Sequence, residues 1–407
     1  MTTPESRKGL LGLGLALGLF YLLLWPLLGI KAEGLFFADA FAVWWRVALP
    51  VVLCFLVYLL RDKPALLAVR RTGQRLGSSL SGLISALPRP LLAAIGLALA
   101  LVFPFCTERY AQDVAINVLV YVCLGLGLNV VVGLAGLLDL GYIAFYGVGA
   151  YTYALLAVHF HLSFWLCLPI AASLAAVAGC IIGYPTLRMR GDYLAIVTLG
   201  FGEIVRIILN NWMSLTNGPN GILSVPPPDI FWPSFESGFS FEHIWLKKLI
   251  YLYFIILLLA LATIVAVYRI NNSRIGRALE AIREDETAAE LMGVNTFLLK
   301  LLAYAMGAVF GGVAGTFFAA RMRFVSPESF TFIESAMVLA MVVLGGMGSI
   351  PGVILGALAL IALPEVFRGF ELYRMLVFGG VMCLMMIFRP RGLWPAKRLG
   401  TRSEDRE

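Results

Sequence analysis

The 407-residue sequence has few charged residues for its length. They make up 14% of the chain, against about 25% in soluble domains. Hydrophobic residues make up 60%, and the mean hydropathy is +0.90. A chain of this composition cannot cover its surface with polar groups in water, which makes a soluble enzyme the least favoured class. The lipid bilayer is the solvent that fits.

Motifs for nucleotide, metal and thiol chemistry are also missing. The sequence has no Gly-Lys dipeptide, so it cannot form a P-loop. It has no H-E-x-x-H, G-x-S-x-G or C-x-x-C motif, and its six cysteines and three histidines lack metal-ligand spacing. We therefore expect no enzyme activity, metal or cofactor on this chain. The net charge of +7 comes from basic clusters at the ends of apolar runs, which favours membrane topology over nucleic-acid binding.

Twelve apolar runs are long enough, or nearly so, to cross a membrane. They are residues 10–30, 44–60, 91–106, 114–132, 142–158, 164–187, 193–209, 249–268, 297–320, 332–346, 353–366 and 372–388. Several are short for a full span, which favours broken or re-entrant helices. The sequence predicts an all-α, polytopic inner-membrane helical bundle of about 10–12 transmembrane segments.

Basic clusters set the predicted topology and the predicted domain boundaries. Four clusters fall on the same side of the span count, which places both termini in the cytoplasm. We expect an N-terminal extension at residues 1–90, with two spans and a basic cytoplasmic loop. A membrane core at 91–390 follows, with a periplasmic loop at 210–248 and a cytoplasmic loop at 269–296. Residues 391–407 form a cytoplasmic tail.

Two glycine-rich interruptions divide apolar pairs in the two halves of the core. They are Gly133–Gly141 and Gly345–Gly352. Interrupted segments in corresponding positions are typical of inverted repeats around a translocation path. The alternative is that Gly and Pro are simply frequent in membrane helices.

The polar residues at or near the first interruption are Asn117, Asn129, Asp139 and Tyr142. The last three are candidates for the translocation path. Non-helical backbone at membrane depth is tolerated only where it meets protein or a water-filled cavity. Asp139 could equally cap the helix that follows.

Glu203 and Arg206 lie inside another predicted span. Their spacing of three residues lets them pair on one helix face. Such a pair either packs helices together or lines a pore, because charges at membrane depth are costly when they face lipid.

The segment Ser273–Asn295 predicts two short amphipathic helices. Ser273 can cap a helix over Arg274–Glu284, and Thr287 begins a capping-box pattern for the second helix. Gly293 is a suitable C-terminal stop. The segment therefore reads as a structured loop outside the membrane.

One face of this segment carries apolar residues that could bind a partner. Ile275, Leu279 and Ile282 share that face, which favours docking into a partner's groove or lying on anionic lipid. The candidate partner-binding residues of the segment are Ile275, Arg277, Leu279, Glu280, Ile282, Arg283, Glu290 and Gly293.

Several segments, in order along the chain, resemble the branched-chain amino acid permeases of ABC importers, the LivHM family, and most of all its LivM type. The segments are residues 127–136, 139–151, 187–204, 217–222 and 391–395. Residues 275–293 are similar to the cytoplasmic coupling loop of ABC importer permeases. Asn217-Gly218-Pro219 departs from the Thr-Gly-Gly that is more frequent in the family.

The resemblance implies an importer built from several chains. Its partners would be a homologous LivH-type permease, two cytoplasmic ATPases of the LivG/LivF type and a periplasmic amino-acid-binding protein. ATP and Mg would bind to the ATPases, and the cargo would be leucine, isoleucine or valine. The alternatives are an ion-coupled amino-acid carrier, an ABC permease for another amino acid or urea, and a non-transporting scaffold. Scarce intramembrane acids count against a carrier.

Overall fold

The structure is a computed structural model that describes residues 89–189, 191–234, 240–245, 248–366 and 392–394. Backbone contacts divide the chain into residues 1–98 and 99–407. Nearly all of the described residues belong to the second unit. The two spans predicted in the N-terminal extension, the span predicted at 372–388 and most of the predicted tail lie outside the described residues.

The described part of the chain is helical apart from two short antiparallel strand pairs. Labels number the described elements in chain order. The helices are α1 (Arg89–Cys106), α2 (Arg109–Asn129), α3 (Ile143–His159), α4 (Phe164–Thr186), α5 (Asp192–Asn211), α6 (Met213–Thr216), α7 (Leu249–Asn271), α8 (Arg274–Glu284), α9 (Glu286–Leu291), α10 (Thr296–Met322), α11 (Phe332–Gly345) and α12 (Ile350–Val366). The strands are β1 (Ile222–Leu223), β2 (Asp229–Ser234), β3 (Ser240–Trp245) and β4 (Phe324–Val325). β1 pairs with β4, and β2 pairs with β3.

Membrane-spanning length is reached by several of these helices. Among the described residues, six helical segments are long and apolar enough to cross a bilayer, and three shorter apolar helices accompany them. Together they account for the predicted spans between residues 91 and 366. The prediction of a polytopic helical membrane protein is confirmed.

Glycines let α10 pack closely against α2, α3 and α4. Gly307, Gly311 and Gly315 recur every fourth residue of α10 and are buried. A Cβ on Gly315 would overlap the carbonyl oxygen of Tyr146 in α3, and one on Gly307 would lie 2.6 Å from a methyl group of Val131. Small residues at this spacing allow close backbone approach, which stabilises helix pairs in lipid.

The helix ends lie on the two sides that the sequence predicts. On one side, β1 pairs with β4, and Asp229 accepts hydrogen bonds from Ser163 Oγ and the Phe164 amide, both at 3.0 Å. The loop predicted to be periplasmic thereby covers the first turn of α4. On the other side lie both helix interruptions, the predicted coupling loop and residues 392–394. Which side faces the cytoplasm stays a prediction.

Candidate functional site

The first interruption begins where α2 changes its helical geometry. A π-helical turn, Val130–Leu134, extends α2, and the chain is then non-helical until α3. π-Helical turns are rare and occur often at functional sites. Gly136 has φ +72°, which favours glycine. Gly141 packs against α5, where a Cβ would overlap the carbonyl oxygen of Thr198.

Asn129 joins the two helix interruptions directly. Its side chain is fully buried, and its Oδ1 accepts a hydrogen bond of 2.8 Å from the amide of Gly348, between α11 and α12. Gly133 leaves room for this contact, because a Cβ there would overlap Asn129 Oδ1 and lie 2.6 Å from the Gly348 nitrogen. The two segments that echo each other in the sequence therefore meet in space. An inverted-repeat relation between them stays a prediction.

Asp139 organises the first interruption but does not cap α3. Its Oδ1 accepts a 2.8 Å hydrogen bond from the Gly141 amide, before the helix begins. The N-cap position is Tyr142, which makes no side-chain cap bond. The Ile143 amide instead donates to Ser335 Oγ of α11 at 3.0 Å. The capping alternative for Asp139 is therefore wrong. Its Oδ1 accepts from the Gly141 amide, which precedes α3, and Ser335 of α11 accepts from the first amide of α3 instead.

Polar groups surround Asp139 in a buried setting. Burial raises the pKa of Asp139 to about 6, and the hydrogen bond from the Gly141 amide opposes that rise. Tyr142 donates a 2.9 Å hydrogen bond to the carbonyl oxygen of Gly307 in α10. The predicted path residues Asn129, Asp139 and Tyr142 thus all lie at the interruptions.

Asn117 lies away from the interruption, contrary to the sequence-based expectation. It precedes Asn129 by three helical turns, about 18 Å along α2. Its Oδ1 accepts a 2.6 Å hydrogen bond from Arg321 at the far end of α10. The two asparagines are separated because α2 is one continuous helix, with Asn117 near its middle and Asn129 at its end.

The predicted coupling loop contains the two predicted helices, α8 and α9. Ser273 caps α8, accepting from the amide three residues on at 3.2 Å, as predicted. Asp285, not Thr287, caps α9, and it accepts from the amides of Thr287 and Ala288 at 2.8 and 3.0 Å. A carboxylate suits a helix N-terminus better than a hydroxyl does. Gly293 has φ +86° just after α9, which confirms the predicted stop.

The apolar face of α8 points the opposite way from the prediction. Leu279 and Ile282 are buried within this chain, and only Ile275 reaches the surface. The prediction that they face a partner was wrong, because an amphipathic helix at a membrane surface can also bury its apolar face against its own bundle. Leu291 and Met292 are the most exposed large apolar side chains of the loop, at 83% and 84%. Of the other predicted coupling residues, the exposed ones are Arg277, Glu290 and Gly293, and Glu280 is half-buried.

One contact links the predicted coupling loop to the first interruption. Arg283 Nη1 donates a hydrogen bond to the carbonyl oxygen of Gly133 in the π-helical turn. Gly136 makes space for that side chain, since a Cβ there would lie 2.8 Å from Arg283 Cγ. Carbonyls at a helix end lack intrahelical partners, and a cation there complements the helix dipole. The loop is also tied to α10 by an ion pair of 2.5 Å between Glu286 and Lys300.

Glu203 and Arg206 form the predicted pair on α5. Arg206 Nε donates to Glu203 Oε1 at 2.8 Å. The two side chains are 38% and 29% exposed, respectively. The pair therefore lies at an edge of the described bundle, and the choice between packing and pore lining stays open.

Two residues at helix ends were missed by the sequence reasoning. Ser335 caps a helix that is distant in sequence, and no local pattern marks it. Arg321 bonds to Asp113 Oδ1 at 2.7 Å and to Asn117. Asp113 and Arg321 carry opposite charges at the same predicted side of two spans, and this pattern could have indicated that they pair.

Comparisons with known proteins agree with this architecture. Residues 110–388 match the family model described as "Branched-chain amino acid transport system / permease component". The chain is 50% identical over 326 residues to the high-affinity branched-chain amino acid transport system permease protein LivM of Escherichia coli K12, covering 77% of each chain. It is 27% identical to the probable LivM permease of Methanocaldococcus jannaschii, covering 68% of this chain and 86% of that protein. It is 26% identical to the LivH permease of E. coli K12, covering 67% and 90%.

No solved structure matches the chain. The family match spans well over half of the sequence and includes both interruptions and the coupling loop. The chain therefore belongs to the family of permease components of branched-chain amino acid transport systems.

Proposed function

We propose that this chain is one of two permeases of an importer that carries leucine, isoleucine and valine across the inner membrane. ATP hydrolysis on separate cytoplasmic subunits supplies the energy, and this chain performs no chemistry of its own. The observation that carries the proposal is the bond from Arg283 to the carbonyl oxygen of Gly133. It connects a loop outside the membrane to a helix break inside the bundle, as a transporter driven from outside the membrane requires.

The coupling runs through two adjacent hydrogen bonds. Movement of α8 is passed by Arg283 to the π-helical turn at Gly133. Asn129, four residues earlier, holds the amide of Gly348 in the second interruption. A shift of α8 therefore moves both interruptions together. The two interruptions form the two-state element that such coupling needs. The interruptions act as the gate on the side of the loop.

An ATPase subunit docks on the exposed surface of α8 and α9. Leu291 and Met292 are the apolar anchors of this surface, because they project from the end of α9. The acidic residues Glu284, Asp285 and Glu290, in or next to α9, are also exposed. Leu279 and Ile282 are buried and hold α8 against the rest of the chain, so that α8 moves as a rigid element when the ATPase moves it.

The second permease covers the exposed face of α5. The Glu203–Arg206 pair would be costly against lipid, so protein or a water-filled path covers it. The LivH permeases match this chain as homologues, which supports a pair of similar subunits. A periplasmic binding protein delivers the amino acid to the side formed by β1, β4 and Asp229.

The orientation follows the basic clusters and places both termini in the cytoplasm. Cysteines introduced at Ser6 and Ser403 should react with a membrane-impermeant maleimide only after the membrane is opened. Labelling of either residue in intact spheroplasts would contradict this orientation.

The test of function is uptake into proteoliposomes that contain this chain, its proposed permease partner and the two ATPases. Leucine should accumulate only when the binding protein is on one side and ATP is on the other. Uptake driven by a proton or sodium gradient without ATP would contradict the proposal and favour a carrier. Absence of leucine uptake alongside uptake of urea or another amino acid would overturn the cargo assignment.

A further inference from the structure

A line of polar residues marks the outer half of α2. Asp113, Asn117 and Tyr121 are spaced four residues apart, so they share one face of the helix. The remainder of this half is mostly apolar, as a membrane span requires. Polar side chains in a span are expensive unless they meet protein or water.

Two charged residues of opposite sign contact this line. Arg321, at the end of α10, bonds to Asp113 Oδ1 at 2.7 Å and to Asn117 Oδ1 at 2.6 Å. One turn further along α2, Tyr121 donates a 2.5 Å hydrogen bond to Glu334 Oε2 in the first turn of α11. A cation and an anion thus contact neighbouring turns of α2. We call these five residues the outer polar cluster.

A cavity lies beside the outer polar cluster. Its volume is about 530 Å³, within the usual range for small-molecule sites. Its polar lining includes Asp113, Asn117, Arg321 and Arg323, and its apolar lining includes Leu249 and Leu252 of α7. Arg321 is 8% exposed while Asp113 is 50% exposed, so the guanidinium is held in place and the carboxylate reaches solvent.

We propose that the outer polar cluster binds the zwitterionic head of the amino acid on its way into the bundle. This rests on the proposed function and adds the site that receives the cargo. The planar Arg321 guanidinium can bind an α-carboxylate through two parallel hydrogen bonds. Asp113 can accept from the α-ammonium, and Leu249 with Leu252 packs against the aliphatic side chain. Paired charges of both signs suit a zwitterion better than an ion of either sign.

The competing explanation is a structural clamp, in which Arg321 and Asp113 only fasten α10 to α2. The two explanations differ when both charges are removed together. A clamp tolerates the double change Asp113→Asn with Arg321→Gln, because no charge is left without its partner. A binding site does not tolerate the double change, because the carboxylate of the cargo no longer has the Arg321 guanidinium to bind.

The first experiment measures binding-protein-dependent leucine uptake by the reconstituted importer. Arg321→Gln should reduce uptake about tenfold or more, as expected for a lost charged hydrogen bond. The double variant should stay at least as low as Arg321→Gln at equal amounts of protein in the membrane. Recovery of the double variant to wild-type uptake would overturn the proposal. Wild-type uptake that depends on ATP would still support the proposed function in that case.

The second experiment keeps the outer polar cluster intact and needs no charge change. Leu249→Cys places a thiol in the cavity wall, and mass spectrometry follows its reaction with an impermeant maleimide. Leucine should slow this reaction several-fold, whereas 4-methylpentanoate and leucine methyl ester, which each lack one charged group, should slow it much less. Ser214→Cys, exposed on the same side, is the control that leucine should leave unchanged. Equal effects of all three compounds, or no effect of leucine, would contradict the proposal.

Discussion

Arg283 and Gly133 are 150 positions apart in the sequence, yet the guanidinium of one donates a hydrogen bond to the carbonyl oxygen of the other. The arginine belongs to α8, outside the membrane-spanning helices. The glycine belongs to the π-helical turn that ends α2. A hydrogen bond from a charged donor to a carbonyl at a helix end is directional. A movement of α8 is therefore passed to the π-helical turn, and the reverse also holds.

The space at Gly133 gives a direct test of how closely the interruptions meet. Gly133→Ala should lower the melting temperature of the purified protein, since its methyl group would overlap Asn129 Oδ1. Overpacking of this kind costs about 1–3 kcal/mol. Gly200→Ala in α5 is the matched control, because a Cβ there meets nothing within 4 Å. An equal melting temperature for both variants would show that the interruptions do not meet at Gly133.

Leu279 is buried whereas Leu291 and Met292 are exposed, so substitutions at the two places should have different effects on membrane insertion and ATPase binding. Leu279→Asp should reduce the amount of permease in the membrane, because it places a charge in the bundle. Leu291→Asp combined with Met292→Asp should leave that amount unchanged but abolish co-purification of the ATPases. Immunoblots of membranes and pull-downs measure both quantities. If the ATPases still co-purify with the double variant, the docking surface does not include Leu291 and Met292.

Asp139 should matter as a hydrogen-bond acceptor more than as a charge. Asp139→Asn keeps an oxygen for the Gly141 amide, whereas Asp139→Ala leaves that buried amide without its partner, at a cost of about 1–3 kcal/mol. The folded-state pKa is raised, so ionisation opposes folding as the pH rises from about 4 to 6. The Asn variant should therefore melt at or above the wild-type temperature at pH 7.5, and the Ala variant below it. Equal melting of the two variants would contradict this role.

Glu203 should act through its pairing with Arg206. Glu203→Ala leaves an unpaired cation on a membrane span and should weaken co-purification with the second permease. Glu203→Ala combined with Arg206→Ala should recover part of that loss, since neither charge remains. A double variant that is as defective as Glu203→Ala would instead assign Glu203 a direct role in the path.

The described spans were predictable because length and apolarity alone decide which segments cross a bilayer. The caps at Ser273 and Gly293 were also predictable, since capping depends on local sequence. The burial of Leu279 was not, because an amphipathic pattern states which residues share a face but not what covers it. The contact of Asn129 with Gly348 needed the packing of α2 against α12, to which no local pattern refers.

The number of leucine molecules transported per ATP hydrolysed tests the coupling through Arg283 most directly. In reconstituted importers, Arg283→Ala should lower this ratio about tenfold or more while ATP hydrolysis and ATPase binding persist, because the hydrogen bond to Gly133 is lost. Arg283→Lys should restore part of the ratio. Arg188→Ala is the matched control, since Arg188 lies just after the end of α4, outside the predicted coupling loop, donates to Tyr184 Oη one turn earlier and should keep the wild-type ratio. An unchanged ratio for Arg283→Ala would contradict the proposed coupling.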